Sequence, residues 1–268
     1  MIEISLIGAG YVGLVTALCF VERGLNVILV DSNQSRLETI DRGELPFYET
    51  GLDELMRKAH VSGRFRCTPN VKEAVLETEI SFITVGTPSS ESGQIDLSFV
   101  IKCAKELGSA LEKKEEYHVV AVKSTVVPGT TNGVIKKTLE AVSGKLAGKE
   151  FGLCMNPEFL REGDAVNDTY YPDRVVIGGV DDRSVDTLER FFRNFYGAKC
   201  PPILKTTPSN AEMIKYASNA FLAAKVSLIN EIANICELTP GLDVNVVAKG
   251  VGFDKRIGDR FLLSLIHI

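Results

Sequence analysis

Six short apolar runs constrain this chain most: IEISLIG (2–8), NVILVD (26–31), ISFITVG (80–86), HVVAVKST (118–125), FGLCMN (151–156) and RVVIGG (174–179). Their cores barely alternate between apolar and polar residues, so each strand must be covered on both faces. Helical stretches lie between them and can supply that cover: an apolar segment up to Arg23, then Leu97–Leu111, Thr130–Val142 and Val185–Phe195. The order predicts an α/β chain with a doubly wound, Rossmann-type parallel sheet. The prolines of CPPILKTTP mark a linker at about 199–208. Beyond it Ser209 and Glu212 have capping-box spacing and open a helix without Gly or Pro up to Leu238, where TPG stops it. That helix is about 45 Å long at ~1.5 Å per residue. It opens a helical region, so the expected division is a sheet-forming domain over 1–200 and a helical one over 201–262.

Composition narrows the function. Of the 268 residues 24% are charged and 45% hydrophobic, and the net charge of −5 gives no basic surface for nucleic acid or anionic lipid. The six cysteines are scattered without CxxC spacing, which argues against a zinc or disulfide framework and for a reducing, cytoplasmic setting. No metal site is expected. The apolar N-terminus lacks a basic leader region, and no stretch reaches membrane-spanning length. His60, His118 and His267 fall outside every motif, so a histidine-based dehydrogenase mechanism is not indicated.

The first chemical signal is GAGYVG, from Gly8 to Gly13, between the first strand and the first helix. Glycines there allow a tight turn, close packing, and the approach of a pyrophosphate to unpaired N–H groups of the helix start. Gly8, Gly10, Tyr11, Val12 and Gly13 are therefore candidate cofactor contacts. Asp31 ends the second strand, where it can bond a ribose 2′-hydroxyl and repel a 2′-phosphate. That favours NAD over NADP, with Arg36 nearby working against the preference.

TVGTP (84–88) and KSTVVPGT (123–130) put Thr87, Ser124 and Thr125 at strand C-termini, the edge where open α/β sheets bind ligands. Turn chemistry alone also accounts for them. CMNPEFLREGDA (154–165) sets Glu158 and Glu162 around Phe159, Leu160 and Arg161. Two readings fit: carboxylates in a solvated first helical turn, or an active-site corner. On the long helix Lys215 and Asn219 sit one turn apart and share a face, as a solvated pair or as donors to a developing oxyanion.

GAGYVG, VGTP, KSTVVPGT, NPEFLREGDAVND, PDRVVIG and AEMIKYASNAFLA occur in order, and over roughly residues 1–262 the chain resembles the UDP-glucose/GDP-mannose dehydrogenases. PDRVVIG with Arg174, and DKRIG (254–258), are most similar to the UDP-glucose-oxidising members. The resemblance implies oxidation of a sugar-nucleotide C6 alcohol to the acid with two NAD. It implies that Glu158 manages a hydrolytic water, that Glu162 lies by the nicotinamide, and that Thr125 positions water and cofactor. Residues 158–162 would line the UDP-sugar site, and Lys215 with Asn219 would act in catalysis. It also implies a homodimer through the long helix. None of the six cysteines stands in the context of the family's nucleophile, and LSLIHI (263–268) is not family-like. The chain is accordingly expected to be a fragment that binds NAD without completing the reaction. UDP-N-acetylmannosamine or GDP-mannose oxidation, and a non-catalytic NAD-binding module, are the competing readings.

Overall fold

The computed structural model describes residues 3–90 and 92–263. All of the expected foreign tail but Leu263 lies outside them, as does His267. The described residues form two compact units, Met1–Met213 and Ile214–Ile268.

The first unit is an eight-stranded sheet with helices on both faces. In chain order it runs β1 (Glu3–Ile7), α1 (Tyr11–Glu22), β2 (Asn26–Val30), α2 (Gln34–Asp41), α3 (Leu52–Ser62), β3 (Phe65–Thr68), α4 (Val71–Glu77), β4 (Ile80–Ile83), α5 (Ser98–Lys113), β5 (Val119–Val122), α6 (Lys136–Ser143), β6 (Gly152–Met155), α7 (Ala165–Tyr170), β7 (Val175–Gly179), α8 (Asp182–Tyr196) and β8 (Ile203–Thr206). Across the sheet the order is β3-β2-β1-β4-β5-β6-β7-β8. The chain moves outward from β1 through β2 to β3, then returns to β4 on the other side of β1. That reversal opens a crevice at the C-terminal ends of β1 and β4, where sheets of this kind bind ligands.

The doubly wound Rossmann-type sheet matches the sequence reading, with three corrections. β7 pairs antiparallel to β6, Cys154 with Gly179 and Met155 with Gly178. The short α7 and its loop hold the chain beside the C-terminal edge, so β7 starts from the edge at which β6 stopped. The supposed linker contains a strand, β8, parallel to β7. The Ser209–Glu212 capping box does not form. Helix α9 (Pro208–Leu238) has Pro at its first position, and the Thr207 hydroxyl oxygen accepts from the Asn210 N–H at 3.4 Å. The Glu212 side chain accepts instead from the Gly129 N–H at 2.5 Å and the Thr131 N–H at 2.7 Å, at the π-helical turn (Thr131–Ile135) leading into α6.

Helix α1 is apolar around its whole circumference, and every residue from Gly13 to Val21 is buried. The sheet covers one side while α3 and α7 cover others. Phe20 on α1 meets Phe191 at 5.2 Å and Phe195 at 4.9 Å between ring centres, both edge-on, and Phe82 on β4 lies 5.9 Å away. Beneath the sheet runs a buried polar chain. Ser5 Oγ and Ser81 Oγ are 2.6 Å apart, and Ser81 Oγ is 2.8 Å from His118 Nε2. His118 Nδ1 lies 2.9 Å from the Thr78 carbonyl, so Nδ1 carries the proton and Nε2 accepts.

The second unit takes the rest of α9 and adds α10 (Val244–Gly252), capped by the Asp243 side chain at the Asn245 N–H. Its core is Ile229, Ala233, Cys236 and Val244. Phe221, Leu228 and Ile235 on α9 are exposed. No helix of the described residues is long and apolar enough to cross a membrane.

Candidate functional site

The glycine turn is built by close contact. Gly8 has φ of +115°, and a Cβ there would sit 2.8 Å from the Thr84 carbonyl. A Cβ on Gly13 would fall 1.8 Å from the Gly8 carbonyl oxygen, so only hydrogen fits where α1 crosses the strand end. The Thr84 hydroxyl, which opens the TVGTP motif but was not among the candidate contacts, donates to the Gly8 carbonyl at 2.9 Å and pins the turn to β4. A Cβ on Gly10 would meet nothing within 4 Å. Gly10 precedes α1 in extended conformation with no side-chain cap, and the first turn of α1 holds no carboxylate. The N–H groups of Tyr11, Val12 and Gly13, at the start of α1, have no intrahelical acceptor, the arrangement that suits an anion.

The Asp31 carboxylate is held by three neighbours. Its Oδ2 accepts from the Ala9 N–H at 2.7 Å, and its Oδ1 accepts from the Asn33 N–H at 2.8 Å. Arg36 pairs with Oδ2 at 3.0 Å and remains partly exposed. Asp31 and Gly8 line a cleft of about 550 Å³ together with Pro69, Val71, Phe99 and Lys102.

Thr87, Ser124 and Thr125 come together at the ends of β4 and β5, where Thr87 Oγ1 donates to the Thr125 carbonyl at 2.8 Å. Ser124 Oγ donates to the Val85 carbonyl at 2.6 Å. Both hydroxyls spend their protons joining two loops, and the Thr125 side chain is half-buried.

The acidic corner, residues 157–164, follows β6 without regular structure. Glu158 Oε2 accepts from the Leu160 N–H at 2.7 Å, so the carboxylate folds onto its own loop rather than into a helical first turn. Glu158 lines a cavity of about 50 Å³ with Lys123, Asn156, Phe159, Leu160 and Arg174. Lys123 Nζ donates to Asn156 Oδ1 at 3.2 Å, and the Arg174 guanidinium lies 3.9 Å over the Phe159 ring. The space suffices for a few water molecules. Arg161 turns away, its guanidinium donating to Asp168 at 2.6 Å and to Asp164 at 2.5 Å. Glu162 is exposed. Lys215 is buried and Asn219 exposed, one turn apart on α9 in the second unit.

Sequence motifs also missed Glu49. It is 1% exposed in the stretch between α2 and α3, and it accepts from the Tyr11 hydroxyl and from the backbone N–H groups of Gly163 and Ala165.

Four of the six cysteines sit in environments that disfavour the thiolate. Burial pushes the Cys19 and Cys154 thiols up to about 12, and it raises Cys67 and Cys103 as well. Among the described residues no group of His, Cys, Asp or Glu could hold a metal ion.

Residues 2–196 match the model of the UDP-glucose/GDP-mannose dehydrogenase family NAD binding domain, and residues 209–266 match that family's central domain. The chain belongs to the UDP-glucose/GDP-mannose dehydrogenase family. It is 44% identical over 261 residues to UDP-glucose 6-dehydrogenase AglM of Haloferax volcanii, across 97% of this chain and 60% of that protein. It is 42% identical over 254 residues to GDP-mannose 6-dehydrogenase of Pseudomonas aeruginosa, across 95% of this chain and 55% of that one. Among solved structures, a UDP-glucose dehydrogenase of Pyrobaculum islandicum superposes with a TM-score of 0.91 at 40% identity, over 98% of this chain and 59% of that chain. The chain thus spans about 55 to 60% of the length of these relatives.

The cofactor of this UDP-glucose/GDP-mannose dehydrogenase family chain is NAD, and its residues fit that group. The room at Gly10, the uncapped start of α1 and the Asp31 carboxylate accommodate a diphosphate and a ribose without a 2′-phosphate.

Proposed function

We propose that the full-length protein oxidises the C6 alcohol of UDP-glucose to the carboxylate of UDP-glucuronate, and that residues 1–268 alone bind NAD without completing that reaction. The overall change is R–CH2OH + 2 NAD+ + H2O → R–COO− + 2 NADH + 3 H+. NAD, when bound, takes up a hydride in each half. Residues of this chain supply the binding, water-handling and oxyanion-stabilising parts, while the thioester nucleophile is not among them. The first turn of α1 holds the diphosphate, and Asp31 accepts from the ribose. Glu162 borders the nicotinamide, and Thr125 orients water. Glu158 lies in a small cavity whose polar lining can hold the water that attacks the acyl carbon, and it receives a proton from that water. Lys215 and Asn219 supply donors for the oxyanion. Phe159, Leu160 and Arg161 belong to the wall of the sugar-nucleotide site.

One observation carries this reading: the open space at Gly10 beside an uncapped helix start, in the same unit as the Glu158 cavity. The absence of a cysteine in the context of the family's nucleophile, in the 268 residues, supports inactivity of the chain by itself. A held aldehyde becomes an acid here through a thioester, and the buried cysteines with raised pKa values are poor nucleophiles. Identity to a GDP-mannose 6-dehydrogenase, nearly as high as to UDP-glucose enzymes, keeps GDP-mannose as the second reading. We further read residues 1–200 as the cofactor domain and 201–262 as the start of a central helical domain. The exposed apolar residues of α9 support a homodimer through that helix, and cysteines without CxxC spacing support a cytoplasmic setting.

Calorimetric titration with NAD tests the binding half, and absence of heat from folded protein refutes it. Incubation with NAD and UDP-glucose tests the other half, and NADH formation at ordinary enzyme rates refutes it. In the full-length protein, comparing UDP-glucose, GDP-mannose and UDP-N-acetylmannosamine assigns the sugar nucleotide.

A further inference from the structure

The geometry points to Glu49 as a positioning residue, one that clasps the loop carrying Glu162 to the first turn of α1 and so sets the nicotinamide half of the NAD site. Glu49 is 1% exposed, in a stretch with no regular structure. A buried carboxylate is retained only where its acceptor sites are filled. Here they are filled from two directions. Oε2 accepts from the Tyr11 hydroxyl and, at 2.8 Å, from the Gly163 N–H; Oε1 accepts from the Ala165 N–H at 3.0 Å. Tyr11 is the first residue of α1, Gly163 lies near the end of the acidic corner and Ala165 begins α7, both more than 110 positions from Glu49 in the chain.

Tyr11 completes the clasp. Its hydroxyl also lies 3.3 Å from the Gly163 N–H and 3.4 Å from the Arg161 carbonyl, while its ring rests on Phe47 at 5.2 Å between centres. Burial, and then the Glu49 carboxylate, push the phenol above its ordinary range, so it stays a donor. One side chain thus joins the residue whose N–H faces the diphosphate to the peptide that follows Glu162. A shift of either partner moves the acidic corner against the cofactor.

The inference rests on the NAD site and on the placement of Glu162 by the nicotinamide proposed above. Its test uses two ligands that share adenosine and diphosphate but differ in the nicotinamide: NAD and ADP-ribose. Both are titrated into the 268-residue chain and its Glu49→Gln and Tyr11→Phe variants. Glutamine keeps the shape but replaces one oxygen with an NH2 group that cannot accept, so one anchor is lost. Glu49→Gln is expected to weaken NAD about 10-fold, ~1.4 kcal/mol, and to leave ADP-ribose within about twofold. Tyr11→Phe is expected to shift the ratio of the two affinities in the same direction by less. A merely structural role weakens both ligands equally, and that result, or unchanged NAD affinity, overturns the clasp. Should Glu49→Gln fail to fold, an unchanged ratio in Tyr11→Phe overturns it. Wild-type protein that binds neither ligand is a different failure: it removes the cofactor site and the clasp with it.

Discussion

The Glu212 carboxylate accepts the backbone N–H of Thr131 at 2.7 Å, although 81 positions separate the two in the chain. With the Gly129 bond, this fastens the first turn of α9 to the approach of α6. Glu212→Ala strands both N–H groups, and each unmade bond costs about 1–3 kcal/mol. The variant is expected to lose about 2–4 kcal/mol in urea unfolding, and Glu212→Gln less, because one oxygen remains. An unchanged urea midpoint for the alanine variant contradicts this.

The glycines of the turn separate fold from binding. Gly13→Ala drives a methyl into the Gly8 carbonyl, and the chain is expected to lose at least about 3 kcal/mol of stability. Gly10→Ala meets no protein atom, so its melting temperature should stay near wild type while NAD affinity falls about 10-fold or more, the methyl standing where the diphosphate goes. Thermal melts and NAD titrations on the same two samples decide the matter. Equal stability for both variants counts against the described turn.

The proposed ribose-binding role of Asp31, with Arg36 beside it, predicts a shift in dinucleotide choice. Asp31→Ser removes the carboxylate that repels a 2′-phosphate and frees a partly exposed guanidinium that can bind one. The ratio of NADP to NAD affinity is expected to rise about 10-fold or more. Fluorescence titration with NADH and NADPH reads it directly, and a ratio that does not move argues against Asp31 as the discriminating group.

His118 makes the first unit acid-sensitive. Burial, then the nearby Lys114 charge, lower its pKa to about 3 in the fold, against about 6.5 in the unfolded chain. Lys114 Nζ donates to the Leu76 carbonyl, and Thr78, Ser81 and Lys114 are the polar groups facing the ring. Between these values the unfolded chain binds the extra proton, so stability is full above pH ~6.5 and falls as pH drops toward ~3, by up to about 4–5 kcal/mol. His118→Gln should flatten that part of the stability–pH curve relative to wild type. Parallel curves for the two proteins remove His118 as the cause.

What the sequence disclosed, and what it hid, follows the physics of burial. The central strands β1, β2, β4, β5 and β6 are covered on both faces, so each is a plain apolar run. The edge strands β3 and β8 are short and half-exposed, and they carry Arg66 and Lys205, charges that edges tolerate and that break the apolar signal. The direction of β7 was also illegible, since a buried strand reads the same either way and only the path through 156–174 decides it. At the site, the glycine turn and Asp31 were legible because their roles are local. Glu49, Thr84 and the true partners of Glu212 were not, because each acts on backbone groups brought near only by the fold.

The aromatic cluster has a consequence for synthesis. Phe20 and Phe82 leave the ribosome long before Phe191 and Phe195, which close over them. Until α8 emerges, a nascent chain already holding seven of its eight strands leaves the Phe20–Phe82 pair uncovered, a surface that chaperones bind and that neighbouring chains can stick to. Completion of this unit is therefore a late event in translation, governed by its far end rather than by the glycine turn at its start.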